Sequence, residues 1–135
     1  MKNKKYALIT GATSGIGAEF AKQLAEKNYN LILTGRRENI IQELAKEIKE
    51  KQNIDIKIII ADLSKDEDVK KIIKQISHID SLEFLVNNAG YGTKKSFFED
   101  SFENQEQMLK VHINALARLS HATTPQMIKN KKGYI

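Results

Sequence analysis

The sequence predicts an α/β fold of the doubly wound kind, a parallel sheet with helices on both faces, and three observations carry that expectation. Short apolar runs alternate with longer amphipathic segments along the 135 residues. Those runs are apolar at consecutive rather than alternate positions, as in parallel strands covered on both faces. Six of the seven glycines, Gly11, Gly15, Gly17, Gly35, Gly90 and Gly92, follow such a run. That places them along one edge of a parallel sheet, whereas surface turns alone would spread glycine over both edges.

In chain order, Tyr6-Ala7-Leu8-Ile9-Thr10 reads as the first strand and residues 16–27 as a helix with Ile16, Phe20, Ala21 and Leu24 on one face. Residues 31–34 form the second strand, and 40–51 a helix with Ile41, Leu44, Ala45 and Ile48 along one stripe. The third strand spans 56–60. Residues 66–76 follow as a helix through Val69, Ile72, Ile73 and Ile76, with Ser64 as its expected N-cap and Asp66 and Glu67 in its acidic first turn. The fourth strand covers 84–86, and a longer helix is expected from about 104 to 128. Gly133-Tyr134-Ile135 reads as the opening of a fifth strand, so the sheet is expected to be truncated there. Strand–helix alternation implies right-handed crossovers and a ligand crevice beyond the carboxyl ends of the strands.

Composition bounds the rest. Residues 1–135 make one domain, with 41% apolar and 29% charged residues as in ordinary soluble proteins. The absence of cysteine excludes disulfides, thiolate metal sites and a cysteine nucleophile. A net charge of +5 attracts an anion but falls short of a nucleic-acid signature. Lys2, Lys4 and Lys5 make a basic start, yet the apolar run behind them is too short for a secretory signal. Nor does any stretch approach the roughly 20 apolar residues of a membrane helix, so a cytoplasmic protein without membrane or nucleic-acid partners is expected. No pair among His78, His112 and His121 has the i, i+4 spacing of a helical metal site, and no metal is expected. Lys129, Lys131 and Lys132 form a basic cluster read as a solvated turn, with polyanion contact as the alternative.

The chemistry concentrates behind the strands. Thr10-Gly11-Ala12-Thr13-Ser14-Gly15-Ile16-Gly17 joins the first strand to the first helix. There Gly11 suits a tight turn, Gly15 a close approach to a pyrophosphate, and Gly17 close helix packing. Amides at the helix start then face the phosphates, favoured by the helix dipole. No lysine follows Gly17, which argues against nucleotide hydrolysis. A purely structural turn is the plainer alternative. The second strand ends at Gly35-Arg36-Arg37, where an acidic residue would select NAD through the ribose 2′-hydroxyl and an arginine suits a 2′-phosphate. Only three arginines stand against nineteen lysines, and two of the three are adjacent here, so NADP is favoured over NAD. Solvated residues opening the next helix are the alternative. Asp62 is placed to accept from an adenine amino group beside the Leu63 amide, or to cap a helix. Asn87-Asn88-Ala89-Gly90 offers amides that tie neighbouring strands or reach a ribose, and small residues against which a ligand can lie. Tyr91 to Phe98 follows as a polar–aromatic segment, with Phe97 and Phe98 lining a pocket or filling core.

Thr10-Gly11-x-x-x-Gly15-Ile16-Gly17, Asp62-Leu63 and Asn87-Asn88-Ala89-Gly90, in this order and spacing, resemble the amino-terminal half of the short-chain dehydrogenase/reductase family over essentially the whole chain. The resemblance implies a Rossmann fold, hydride transfer between an alcohol and a carbonyl through a nicotinamide cofactor, and a homo-oligomer in the full-length protein. Carried over by position, it implies that Gly11, Thr13, Ser14, Ile16 and Gly17 line phosphates and ribose, and that Arg36 meets the 2′-phosphate with Arg37. Asp62 and Leu63 would hold adenine, and Asn88, Ala89 and Gly90 would lie along the ribose near the nicotinamide. Ser14 stands where many NADP-dependent members have a basic residue. The family's catalytic serine and Tyr-x-x-x-Lys motif lie beyond the matched half. Tyr6, Tyr29, Tyr91 and Tyr134 are all read as lacking the lysine of that motif, and the 135-residue chain alone is expected to be inactive. A catalytic-site asparagine of the fourth helix aligns with His112, which is read as a proton-relay or a packing residue. Asn114, about 200° round an α-helix from it, does not take its place. A non-catalytic NADP-binding or sensing module is the competing reading. A methyltransferase of similar architecture is disfavoured, because it leaves the asparagine and arginine pairs unexplained. Apolar residues on the fourth helix are expected to lack cover, with aggregation as the consequence.

Overall fold

The computed structural model describes residues 4–135, so Lys2 of the basic start lies outside the described residues. The elements run β1 (Tyr6–Thr10), α1 (Gly15–Glu26), β2 (Asn30–Gly35), α2 (Glu38–Lys51), β3 (Ile56–Ile60), α3 (Asp66–Ile76), β4 (Leu82–Val86) and α4 (Phe102–Leu109). A π-helical turn (Lys110–Ala115) then leads into α5 (Leu116–Lys129). The four strands are all parallel, in the order β3-β2-β1-β4. Because β2 and β4 flank β1 on opposite sides, the winding reverses there, and a crevice opens beyond the carboxyl ends of β1 and β4.

The consecutive apolar residues of each strand divide between two cores, as period-two side chains must. Leu8, Ile32, Ile59 and Leu85 pack on one face against Val69, Ile72 and Ile76 of α3, with Ala115, Leu119 and Met127 beside them. Ala7, Ile9, Leu31 and Leu33 pack on the other against Ala21, Leu24 and Ala25 of α1 and Ile41, Leu44, Ala45 and Ile48 of α2. This is the doubly wound Rossmann architecture. Strand β3 is an edge, and its exposed Lys57 is the kind of charge that discourages further pairing. On the free side of β4, Tyr134 makes one parallel bridge to Phe84, where a fifth strand is expected to open. The two rings stack with centroids 4.7 Å apart.

Two expectations are corrected, while the expected long helix is present as one continuous helical run from Phe102 to Lys129 with a π-helical turn between α4 and α5. A π turn holds an extra residue; here it keeps Val111 and Ala115 buried while His112 stays exposed. Ser64 does not cap α3, because Lys65 occupies the N-cap position. The Ser64 hydroxyl instead donates to Asp62 Oδ1 at 2.7 Å, and Asp68 Oδ2 accepts from the Asp62 amide at 2.7 Å. Ser101 does cap its helix, accepting from the Asn104 amide at 3.2 Å. Finally, Phe97 and Phe98, 75% and 85% exposed, belong to neither core.

Candidate functional site

One cleft of about 420 Å³ lies beyond the carboxyl ends of the strands. Gly11, Thr13 and Ser14 line it from the turn after β1, and Arg36 and Arg37 from the end of β2. Asp62 and Leu63 enter from the end of β3, and Asn88, Ala89 and Gly90 from the end of β4. Four segments far apart in sequence thus meet at one mouth. Gly15, Ile16, Gly17 and His112 lie outside its lining. Gly17 sits behind the wall, with Gly11 and Asn88 against it. Ile16 is exposed, and His112 stands behind the wall, packed against Gly90 and bonded to the Tyr91 backbone.

The turn after β1 is fastened to the end of β4 by the Thr10 hydroxyl, which the sequence does not single out, and by Asn88, one of the two amides expected to tie neighbouring strands. Buried at the end of β1, the Thr10 hydroxyl accepts from the amides of Asn88 and Ala89, both at 3.0 Å, and lies 3.3 Å from the Val86 carbonyl, to which it can donate. Asn88 Nδ2 donates to the Gly11 carbonyl at 3.0 Å, and Asn87 Nδ2 to Ser120 Oγ at 3.1 Å. Gly11 has φ +63°, and a Cβ there would come within 2.8 Å of Ala89 Cα, so both conformation and space require glycine. Ser14 is the N-cap of α1, but its side chain makes no capping bond. The first amides of a helix have no partner one turn back; here the Gly17 amide donates to the Ser14 carbonyl at 3.0 Å, and those of Gly15 and Ile16 make no hydrogen bond among the described residues.

Charge is arranged along the same mouth. Arg37 Nη2 donates to Thr13 Oγ1 at 2.9 Å, and the Arg36 guanidinium carbon lies 5.9 Å over the Tyr91 ring. Neither arginine forms an ion pair among the described residues. Burial acts to raise the Asp62 carboxyl. The Ser64 hydroxyl and amide bonds, with the positive charges of Arg36 and Lys65, outweigh it and hold that group below the usual carboxylate range. Asp62 Oδ1 is taken up by both Ser64 bonds, at 2.7 and 3.0 Å.

Thr34, Gly35, Ala61, Tyr91 and Val111 also line the cleft. The Thr34 hydroxyl is the one buried side-chain polar atom among the described residues without a hydrogen-bond partner. The reading that every tyrosine lacks the motif's lysine is corrected at one position, because Tyr91 and Lys95 have the Tyr-x-x-x-Lys spacing. They lie in the non-helical segment after β4, however, where that spacing does not bring two side chains onto one face. No group of His, Asp or Glu able to hold a metal occurs among the described residues, and none of their helices is long and apolar enough to cross a membrane.

A parallel sheet with its cleft at the winding reversal defines a doubly wound α/β protein with a ligand crevice beyond its strands. Residues 5–135 match the short chain dehydrogenase family, and the chain belongs to that family of oxidoreductases acting on alcohols and carbonyls. It is 33% identical to a very-long-chain 3-oxoacyl-CoA reductase of Vanderwaltozyma polyspora, covering 97% of this chain and 39% of that protein. It is 32% identical to the human inactive hydroxysteroid dehydrogenase-like protein 1, covering 97% and 40%. Its fold matches a short-chain dehydrogenase from Sphingobium yanoikuyae in complex with NADPH, with a TM-score of 0.91, 28% identity and coverage of 96% and 50%. The chain therefore spans half or less of the length of these relatives.

Proposed function

We propose that the cleft binds NADP, and that the chain is the cofactor-binding half of an oxidoreductase exchanging a hydride between a small alcohol and a carbonyl. The observation that carries this reading is the pair Arg36 and Arg37, in no ion pair among the described residues, on the same cleft as Ser14, the N-cap of α1 whose side chain makes no capping bond. The two features answer two separate anions, a ribose 2′-phosphate and a pyrophosphate. The NADPH complex of the Sphingobium relative supports the cofactor class.

Further features fit such a group. Gly11 and Gly15, both at positive φ, leave the turn free of side chains that would hold a phosphate away. The unpartnered Thr34 hydroxyl offers a donor at the cleft. Asp62 has Oδ2 left for the adenine amino group, with the Leu63 amide beside it. Asn88, already tied to Gly11, fixes the wall against which the ribose lies, together with Ala89 and Gly90. When bound, the nicotinamide supplies the hydride acceptor or donor; this chain's residues bind and orient it. Proton transfer to the substrate oxygen is assigned to the family's serine, tyrosine and lysine on sequence beyond this half. In the full-length protein, a homo-oligomer and a cytoplasmic location complete the reading.

Titration of the chain with NADPH and NADH tests it. NADPH should bind more tightly, and Arg36→Ala should remove most of that preference, by about 10- to 100-fold if a charged hydrogen bond of about 1.5–3 kcal/mol is lost. Equal affinities in the wild type would overturn the cofactor assignment. The 32% identity to a human relative named as inactive favours one second reading, an NADP-binding module without catalysis. Hydride-transfer turnover by the full gene product would exclude it.

A further inference from the structure

We propose that the outer side of β3 pairs with the same strand of a second copy of this chain, antiparallel and centred on Ile56, so that Asp55 of each copy meets the partner's Lys57. The two sheets then join into one. This inference is independent of the cofactor reading and starts from the backbone. Toward β2, the Asp55 carbonyl accepts from the Leu31 amide at 2.9 Å and the Ala61 amide donates to the Gly35 carbonyl at 3.0 Å, so the odd-numbered positions of this strand bond to its neighbour. The peptide groups of Ile56, Ile58 and Ile60 therefore point outward, because bonding direction alternates along a strand. Of these, among the described residues, only the Ile60 carbonyl has a partner, Lys71 Nζ. Tyr134, where a fifth strand is expected to open, bridges β4 at the opposite edge, so that strand is not the occupant.

The side chains select the register. Asn53, Asp55 and Lys57 are exposed, and they alternate with Ile54, Ile56 and Ile58, which pack half-buried against the core under α2. Read about Ile56, the run Ile54-Asp55-Ile56-Lys57-Ile58 is symmetric in its apolar residues and opposite in its charges. An antiparallel pair centred there sets Asp55 directly opposite the partner's Lys57, twice by symmetry. Centring on residue 55 sets Asp55 against the partner's Asp55, and centring on residue 57 sets Lys57 against the partner's Lys57. Centring on residue 58 sets Lys57 against the partner's Ile59, whose counterpart in this chain is buried in the other core. One register alone joins opposite charges, so Lys57, which keeps other strands away, admits this one. Lys57 forms no ion pair among the described residues. Asp55 Oδ2 lies 2.7 Å from Lys4 Nζ, but both side chains are more than half exposed, and Oδ1 makes no hydrogen bond and is open to a second cation.

Sedimentation velocity tests the pairing in a parent chain carrying Ile113→Lys and Leu116→Glu, which charge two exposed apolar residues of the helical run and leave β3 as the surface that pairs. The parent should still form a dimer. Adding Asp55→Lys, or separately Lys57→Asp, sets like charges opposite one another and should weaken that dimer by about tenfold. An equimolar mixture of those two variants regains both opposite-charge pairs and should dimerise as the parent does, and so should the chain carrying both changes. A parent that stays monomeric at every concentration would overturn the proposal. So would a dimer indifferent to the charge reversals, because its contact would lie on another surface. Cross-linking reads the register, since the chain has no cysteine of its own. Directly opposed residues of a non-hydrogen-bonded pair stand about 4.5 Å apart, within disulfide reach, and diagonal ones about 7–8 Å apart, beyond it. Oxidising an equimolar mixture of Asp55→Cys and Lys57→Cys chains should therefore favour the mixed disulfide over both homodimers. A statistical mixture, or a preference for the like pairs of a parallel in-register stack, would rule the register out.

Discussion

At the scale of the residue, the cleft depends on side chains whose work is to hold backbone. Thr10 is the clearest, since one hydroxyl serves two amides from the end of β4. Thr10→Val should leave both without a partner and cost about 1–3 kcal/mol, read as a lower urea midpoint, whereas Thr10→Ser should fold like wild type. Asp62 gives a pH signature. Its folded carboxyl lies below the ordinary value of 3.8, so its stabilising contribution is complete above 3.8 and disappears as pH falls through the lower folded value. Urea titrations between neutral and acidic pH should show that loss in wild type and a flatter profile in Asp62→Asn. At this scale the sequence was informative about Gly11, Ser14, Arg36, Arg37, Asp62 and Asn88, because each follows a strand and carries a recognisable turn, charge or amide. It was silent on Thr10 and Thr34. A threonine at a strand end looks the same whether its hydroxyl bridges two strands or has no partner. The Tyr91–Lys95 spacing shows the reverse: a motif-like interval carries no chemistry until the backbone is known to be helical.

At the scale of the element, α2 and α3 follow the apolar periodicity closely, since each buries one stripe on a sheet face, whereas in α1 only Ala21 and Leu24 of the expected stripe are buried and Ile16 and Phe20 are exposed. The segment after residue 101 is one helical run as its pattern reads, with a π turn, which that pattern does not signal, where His112 meets Tyr91. The amino ends of the strands show a second long-range contact. Tyr29 donates to Glu83 Oε2 at 2.8 Å and meets Phe84 edge to face, tying the entry of β2 to β4 across β1. Burial, then the bond to Glu83 and its charge, push the Tyr29 phenol up to about 12. A raised phenol value means stability that is complete below the ordinary value of 10.0 and is lost as pH rises toward 12. Ultraviolet titration should find one of the four tyrosines ionising about two units late, and Tyr29→Phe should remove that step.

At the scale of the whole molecule, Phe102, Leu109, Ile113 and Leu116 are exposed along α4, the π turn and α5, as the sequence led one to expect of this helix. With Phe97 and Phe98 nearby in the chain, they form more apolar surface than a monomer usually shows. Sedimentation velocity should find the chain self-associating as its concentration rises. Ile113→Lys with Leu116→Glu, in a chain whose β3 edge is also blocked by Asp55→Lys, should keep it monomeric, and a monomeric wild type at every concentration would refute this. By itself the sequence determined the alternation of strands and helices, the gathering of glycines on one edge and the residue types at each strand end, because periodicity and turn chemistry are local. Only the tertiary structure decided that Arg36 faces Tyr91 and that His112 grips the peptide behind it. It also decided that Thr10 serves as the bolt between β1 and β4. These are contacts between residues 21 to 79 positions apart, and distance along a chain says nothing about distance in space until the sheet order brings the strands together.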